Sequence, residues 1–159
     1  MNKAYLLTGG NERNKFKYLQ KAKTSIINEC GEILSQSALY ETEAWGKTDQ
    51  PSFLNQVLLI ETVMNASTLM QVLLRIENEM GRKRTEKNGP RTIDIDILFF
   101  NSAIINETDL IIPHPQIQNR KFVLEPMNEL APDFLHPVLN KTIHDLLMMC
   151  EDKLDVKKL

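Results

Sequence analysis

Long apolar runs are missing from these 159 residues. Nothing approaches the roughly 20 consecutive apolar positions that a membrane-spanning helix needs. The opening residues, Met1 to Thr8, have neither the extended apolar stretch nor the small-residue cleavage site of a secretory leader. Cysteine is scarce as well. The two cysteines, Cys30 and Cys150, are far apart and outside any metal-ligand spacing. Both fall in apolar helical stripes, so reduced core thiols and a cytoplasmic setting are expected. An excess of one charge is also lacking: the formal net charge is −2. No global field therefore recruits nucleic acid or an anionic membrane, and a phosphate-rich ligand has to be met by a local basic cluster. Repeats, low-complexity tracts and linkers are absent, so residues 1–159 read as one domain, large enough to bury a core.

What is present organises itself along the chain. Residues 3–8 form a short apolar run closed by Gly9-Gly10, which reads as a strand and a tight turn. Asn11 is placed to cap a helix with Phe16, Leu19, Ile26 and Cys30 as its apolar stripe and Gly31 as its stop. Residues 33–41 and 54–63 read as strands, separated by a loop from Thr42 to Ser52. A second helix runs from near Asn65 to Gly81, with Leu69, Val72, Leu73, Ile76 and Met80 on one side. After a polar, basic loop the run from Thr92 to Phe100 alternates sharply as a strand. Asn101-Ser102 suits a two-residue hairpin turn into Ala103-Ile104-Ile105. Five of the seven prolines lie between residues 110 and 137, so short pieces and turns are expected there. Thr142 and Asp145 resemble a capping box for a last helix carrying Ile143, Leu146, Leu147 and Cys150. The order β-α-β-β-α-β is that of an α+β, ferredoxin-like fold: an antiparallel sheet with helices on one face, plus a C-terminal hairpin and helix extension. Many activities share that fold, so function has to come from the site.

The run Ile93-Asp94-Ile95-Asp96-Ile97 carries the chemistry. A period of two puts the isoleucines on one face and both carboxylates on the other, about 7 Å apart. Paired hard oxygen ligands suit Mg²⁺, which binds through one or two carboxylates plus substrate phosphates. Two ions about 3.5–4 Å apart can share such a pair. The plain alternative is a half-exposed strand with an acidic outer face. Immediately upstream, however, Arg82, Lys83, Arg84, Lys87 and Arg91 face a single acid, Glu86. Guanidinium forks match phosphate oxygens, and phosphoryl transfer depends chiefly on positioning and charge stabilisation. Magnesium with phosphates is the simplest joint reading.

These residues resemble a known signature. Lys87, Gly89-Pro90-Arg91-Thr92 and Ile93-Asp94-Ile95-Asp96-Ile97-Leu98 are similar to the motif of the 6-hydroxymethyl-7,8-dihydropterin pyrophosphokinases. Further matches are Tyr40 and Thr42, Gln50-Pro51 with Phe53-Leu54-Asn55, and Arg75-Ile76-Glu77 with Gly81-Arg82. Pro113-His114-Pro115, Asn119-Arg120, Phe122-Val123-Leu124 and Pro126 complete the series, in order from about residue 4 to 150. The resemblance implies attack by the pterin's hydroxymethyl oxygen on the β-phosphorus of ATP, with release of AMP, in folate synthesis. It implies Asp94 and Asp96 as ligands to two Mg²⁺ ions, with Arg82, Arg91 and Asp96 as the catalytic group. Arg82, Arg84, Arg91, Glu77, Ile97, His114 and Arg120 would border the nucleotide. Phe53 and Phe122 would sandwich the pterin, Asn55 and the chain at Thr42, Glu43, Ala44 and Trp45 would read its edge, Gly9 would permit close approach, and Asp94 would also face it.

The chain departs from that pattern at Gly10, where many relatives have serine, at Glu43-Ala44, where a proline-containing segment stands, and at Asn88, where some have an aromatic residue. The Arg82–Arg91 loop is slightly short. With no Ser/His/Asp or Cys/His constellation, direct in-line transfer by a monomer is expected, with the basic loop closing over bound substrates. No general base stands out; Asp96 through a metal-bound water is one candidate. Two rival readings are a non-catalytic ferredoxin-like ligand-sensing or RNA-binding module and a metal-dependent nucleotidyltransferase. RNA binding fits poorly with a negative chain that lacks a ladder of exposed aromatics.

Overall fold

A computed structural model describes residues 1–12, 14–43, 51–81 and 93–159. Its main sheet is antiparallel throughout and is built around β1 (Asn2–Gly10) and β4 (Phe53–Thr62), the two longest strands. β5 (Asp94–Phe100) pairs with the other side of β1. The far side of β4 is shared by β2 (Glu32–Gln36) and β3 (Tyr40–Thr42). The helices α1 (Lys15–Glu29) and α2 (Ala66–Glu79) connect β1 to β2 and β4 to β5. This is the expected split βαβ order.

Binary patterning explains the layers. Leu19, Ala22 and Ile26 of α1 and Leu69, Leu73 and Ile76 of α2 are buried against Ala4, Leu6, Leu58, Ile60, Ile93, Ile95 and Ile97 of the sheet. Fully burying each leucine or isoleucine of this layer is worth about 1.5–3 kcal/mol, so the layer is a large part of the fold's stability. Asn65 caps α2 by accepting from the Thr68 N–H at 2.8 Å. Helix α1 ends where Gly31 takes φ 155°, a conformation and a space only glycine fits, because a Cβ there would run into the Glu61 carbonyl.

The opposite face is covered too. The C-terminal extension supplies α3 (Lys121–Leu130) and α4 (Ile143–Met149), whose Val123, Leu124, Met127, Ile143 and Leu146 pack on Leu7, Val57, Leu98 and Phe99. Leu98 joins this layer through a bulge: Tyr5 faces Phe99 and Leu6 faces Ile97, leaving Leu98 extra. The Leu98 carbonyl accepts from the His114 N–H at 3.1 Å, tying β5 to the segment that leads into α3. A short strand at the end of the chain, Val156–Lys158, adds to the sheet beside β3.

Several local expectations change. The strand expected over 33–41 breaks at Ser37, whose hydroxyl accepts from the Val57 N–H at 3.0 Å. Asn14, not Asn11, precedes α1; buried Asn11 instead donates to the Pro51 carbonyl at 2.9 Å. Phe16 is 55% exposed and lies outside the stripe. Asn101-Ser102 does turn the chain, but Ile105–Glu107 pairs with Leu110–Ile112 and not with β5, because the turn's Asn101 bonds back to Lys3. In the proline-rich stretch a three-turn helix forms, with Pro126 inside it. A proline there forfeits one backbone hydrogen bond, offset by the burial of Val123, Leu124, Pro126 and Met127.

Candidate active site

The strand register gathers Gly9, Phe53, Asn55, Asp94 and Asp96 on the α3 side of the sheet. Gly9 is the cross-strand partner of both Asn55 on β4 and Asp94 on β5. Leu7, two residues back, faces Val57 and Asp96 in the same way. Phe53, opposite Thr42, lies two residues from Asn55. Successive rows two apart share a face, so Asp94 and Asp96 share theirs with Gly9, Asn55 and Phe53. The isoleucines that alternate with them are buried beneath α1 and α2. The expected division of labour within β5 is therefore the one observed.

A cleft of about 560 Å³, counted to its open mouth, is lined by this surface. Gly9, Asn55 and Leu7 form its floor and Asp94 and Asp96 one side. Thr42, Glu43, Phe53, Arg120 and Phe122 complete the lining. Two phenyl rings, a carboxylate pair and one guanidinium in a cleft of this size suit a flat heteroaromatic bearing a phosphorylated or phosphorylatable arm. The Arg120 guanidinium carbon lies 5.9 Å from the centre of the Phe122 ring, so one short stretch presents the cation and the aromatic together.

Asn55 is the most informative side chain. It is 4% exposed, and its Nδ2 donor has no hydrogen-bond partner. Leaving such a donor unmade costs about 1–3 kcal/mol, which is tolerated where a ligand completes the bond. Gly9 makes this placement possible, since a Cβ there would overlap Asn55 Oδ1.

Supporting groups fix the rest. Glu77 of α2 is 2% exposed, and its carboxylate accepts from the Ile95 N–H at 2.6 Å. Ile95 lies between the two aspartates, so this bond from a rigid helix holds the carboxylate-bearing strand at the sheet's edge. His114 Nδ1 accepts from the Gln116 N–H at 3.1 Å. Burial first, and then the neighbouring Arg120 charge, lower its pKa to about 4 against the opposing pull of Asp94. The ring is thus neutral at pH 7, with Nε2 carrying the proton. Ile97 is buried under the helices on the far face, and neither it, Glu77 nor His114 lines the cleft. Ala44, Trp45, Arg82, Arg84 and Arg91 lie outside the described residues.

Sequence reasoning missed Leu7, although its period-two relation to Gly9 points to it, and a link through Thr42. The Thr42 hydroxyl donates to the Asp155 carbonyl at 3.0 Å, a contact between residues 113 apart that no local pattern reveals. Among the described residues no group of three or more His, Cys, Asp or Glu could hold a metal. The donor set is the carboxylate pair, which suits an ion that completes its shell from phosphates. Among them, too, no helix is long and apolar enough to cross a membrane.

Several known proteins are similar to this chain. The sequence profile of 7,8-dihydro-6-hydroxymethylpterin-pyrophosphokinase (HPPK) matches residues 5–132. The folic acid synthesis protein fol1 of Schizosaccharomyces pombe is 41% identical over 145 residues, 91% of this chain and 20% of that protein. The chain thus spans about one fifth of the length of that relative. The 2-amino-4-hydroxy-6-hydroxymethyldihydropteridine pyrophosphokinase of Aquifex aeolicus is 37% identical over 145 residues, 91% of this chain and 90% of that one. Among solved structures, Plasmodium falciparum HPPK-DHPS superimposes with a TM-score of 0.76 at 21% identity, over 93% of this chain and 44% of the other, a likeness of fold.

Proposed function

From the premise that the chain belongs to the 7,8-dihydro-6-hydroxymethylpterin-pyrophosphokinase family, we propose that it transfers pyrophosphate from ATP to the hydroxymethyl oxygen of 6-hydroxymethyl-7,8-dihydropterin. The hydroxyl oxygen bonds to the β-phosphorus, the bond from that phosphorus to the α–β bridging oxygen breaks, and AMP departs with the electron pair. The Asp96 carboxylate is the candidate acceptor of the hydroxyl proton.

The observation that carries this reading is the unpartnered Asn55 donor at the floor of a cleft whose side is the Asp94–Asp96 pair. One element selects a planar ligand with hydrogen-bonding edges; the other selects metal-bound phosphates. Phe53 and Phe122 supply the stacking surfaces, and Thr42 and Glu43 border the same ring. Arg120, with His114 as a neutral Nε2–H donor nearby, faces the nucleotide. Arg82, Arg84 and Arg91 complete the phosphate-binding set, and Arg82 and Arg91 neutralise charge on the migrating group.

Asp94 and Asp96 would hold two Mg²⁺ ions. Bound there, the metal supplies charge neutralisation on the phosphate oxygens and activation of the β-phosphorus. The chain's own part is positioning: Glu77 holds the carboxylate strand, and the aromatic pair excludes water from the pterin. Residues 1–159 act as one domain, supported by a sheet drawing strands from both ends of the chain. A monomer in the cytoplasm is the proposed setting, in keeping with the free thiols of Cys30 and Cys150.

The test is incubation with ATP, Mg²⁺ and 6-hydroxymethyl-7,8-dihydropterin, with nucleotides separated by chromatography. Pterin-dependent AMP, abolished by EDTA, is expected. ADP would mean attack at the γ-phosphorus, and free pyrophosphate would mean nucleotidyl transfer; either refutes the proposal.

A further inference from the structure

We propose that the C-terminal tail, residues 151–159, is a strap that positions both walls of the pterin pocket, with Asp152 as its positioning residue. The inference rests on the pterin reading of that pocket. The tail lies beyond residues 5–132, the part that the family profile matches.

One wall is the start of α3. Its preceding residue, Arg120, provides no side-chain cap, and its first turn carries no acid. A helix start with orphan N–H groups and an uncompensated dipole frays readily. Asp152 supplies what is missing from 31 residues away, its Oδ2 accepting from the Lys121 N–H at 3.0 Å. Lys121 stands between Arg120 and Phe122, the two residues of this segment that line the cleft. The bond therefore fixes the backbone from which both project.

The other wall is β3. Asp152 Oδ1 accepts from the Leu154 N–H at 3.0 Å, turning the tail toward the sheet. There Val156 pairs with Thr42, Lys157 with Glu41 and Lys158 with Tyr40. The Thr42 hydroxyl donates to the Asp155 carbonyl at 3.0 Å, and the Leu159 N–H to the Leu39 carbonyl at 2.9 Å. β3 ends at Thr42, with Glu43 next, and both line the cleft. One carboxylate thus ties the aromatic wall to the tail that pairs with β3.

No residue of the tail is buried; Asp152, Leu154 and Val156 are partly covered and the others exposed. The tail adds little to the core, so its hydrogen bonds serve placement more than burial. A pocket whose walls are ordered for only part of the time binds its ligand weakly in proportion to that fraction.

The test compares the full-length protein with Asp152→Asn, Asp152→Ala and Asp155→Asn. Pterin affinity is measured at 20 °C by 6-hydroxymethylpterin fluorescence with Mg²⁺ and a non-hydrolysable ATP analogue. Amide hydrogen exchange is followed without ligand. Asp152→Ala, which loses both acceptors, should weaken pterin binding about fivefold and speed exchange at residues 121–124. Asp152→Asn, which keeps one acceptor, should lie between it and the wild type. Asp155→Asn removes the same charge, but Asp155 acts through its carbonyl, so neither readout should move. Exchange accelerated with pterin affinity unchanged would make Asp152 a structural cap only and overturn the proposal. Unchanged exchange overturns the strap itself. Wild-type protein that binds no pterin overturns the pocket reading instead, a failure kept separate because exchange is read without ligand.

Discussion

Replacing Gly9 with alanine tests how the cleft floor is built. The new Cβ would overlap Asn55 Oδ1 and lie 3.1 Å from Asn55 Cγ and 3.3 Å from the Leu54 carbonyl oxygen. The backbone cannot yield easily, because Gly9 is paired on both sides, to Asn55 and to Asp94. The amide must therefore turn away, taking with it the buried, unpartnered Nδ2 that the pterin would meet. Losing one ligand hydrogen bond while a buried polar partner is left unmade costs about 1–3 kcal/mol. At 1.4 kcal/mol per decade this is roughly 5- to 150-fold in affinity. Equilibrium titration with 6-hydroxymethylpterin measures it, in a cycle with Asn55→Ala. Once Asn55 is shortened, the two nearest of those contacts are gone and the Leu54 carbonyl remains at 3.3 Å, so Gly9→Ala should have little further effect, and the coupling should nearly equal the single loss. Wild-type affinity in Gly9→Ala refutes the reasoning. So does the same weakening in the Asn55→Ala background, because Gly9 would then act by a route that does not pass through the amide.

Asp94→Asn and Asp96→Asn should each lower AMP release at saturating Mg²⁺ by about a thousandfold or more with the circular dichroism unchanged, since several kcal/mol of charge stabilisation is removed; full turnover by either would sink the metal assignment. Glu77→Ala should destabilise the fold by about 1–3 kcal/mol in urea, because the buried Ile95 N–H loses its acceptor. Glu77→Gln, which keeps an oxygen there, should cost clearly less; equal costs would show that the bond is not the cause. His136 Nδ1 accepts from the Val138 and Leu139 N–H groups at 3.2 and 3.1 Å, and burial holds its pKa below the ordinary 6.5. The unfolded chain then binds the proton first, so stability present above about pH 6.5 should drain away as pH falls below it. His136→Asn should flatten that slope in urea unfolding at pH 7.5 against pH 5, and an unaltered slope would assign it to other groups.

The parts of the fold readable from residues alone are those where periodicity meets punctuation. Asn65 and Gly81 bracket α2, and Thr142 caps α4 by accepting from the Asp145 N–H at 3.1 Å. Alternation over residues 93–97 separates core from site. Illegible parts are those decided by distant partners. The hairpin expected after Asn101 fails because Asn101 finds Lys3, 98 residues away. A helix with proline at its sixth residue reads as turns until the sheet face it covers is known. The last strand, mostly exposed and three residues long, has no apolar signal to announce it.

The site divides along the same line, and the division has a physical cause. Asp94 and Asp96 are legible from alternation alone; Gly9, Asn55 and Phe53 are named through family resemblance, and the strand register then places them on the same face as the carboxylates. Arg120 and Phe122 are likewise nominated through family resemblance, but no strand register places them. They reach the cleft because α3 is seated on Leu7, Val57 and Phe99 and its first N–H is held by Asp152. Strand-borne groups inherit their precision from the sheet's hydrogen bonds, which are many and cooperative. Groups at a helix start inherit theirs from fewer bonds, one of which here comes from the Asp152 carboxylate. Variation in the tail should therefore change how the pterin is held before it changes the carboxylate pair, and the two ends of the same cleft should differ in tolerance to substitution.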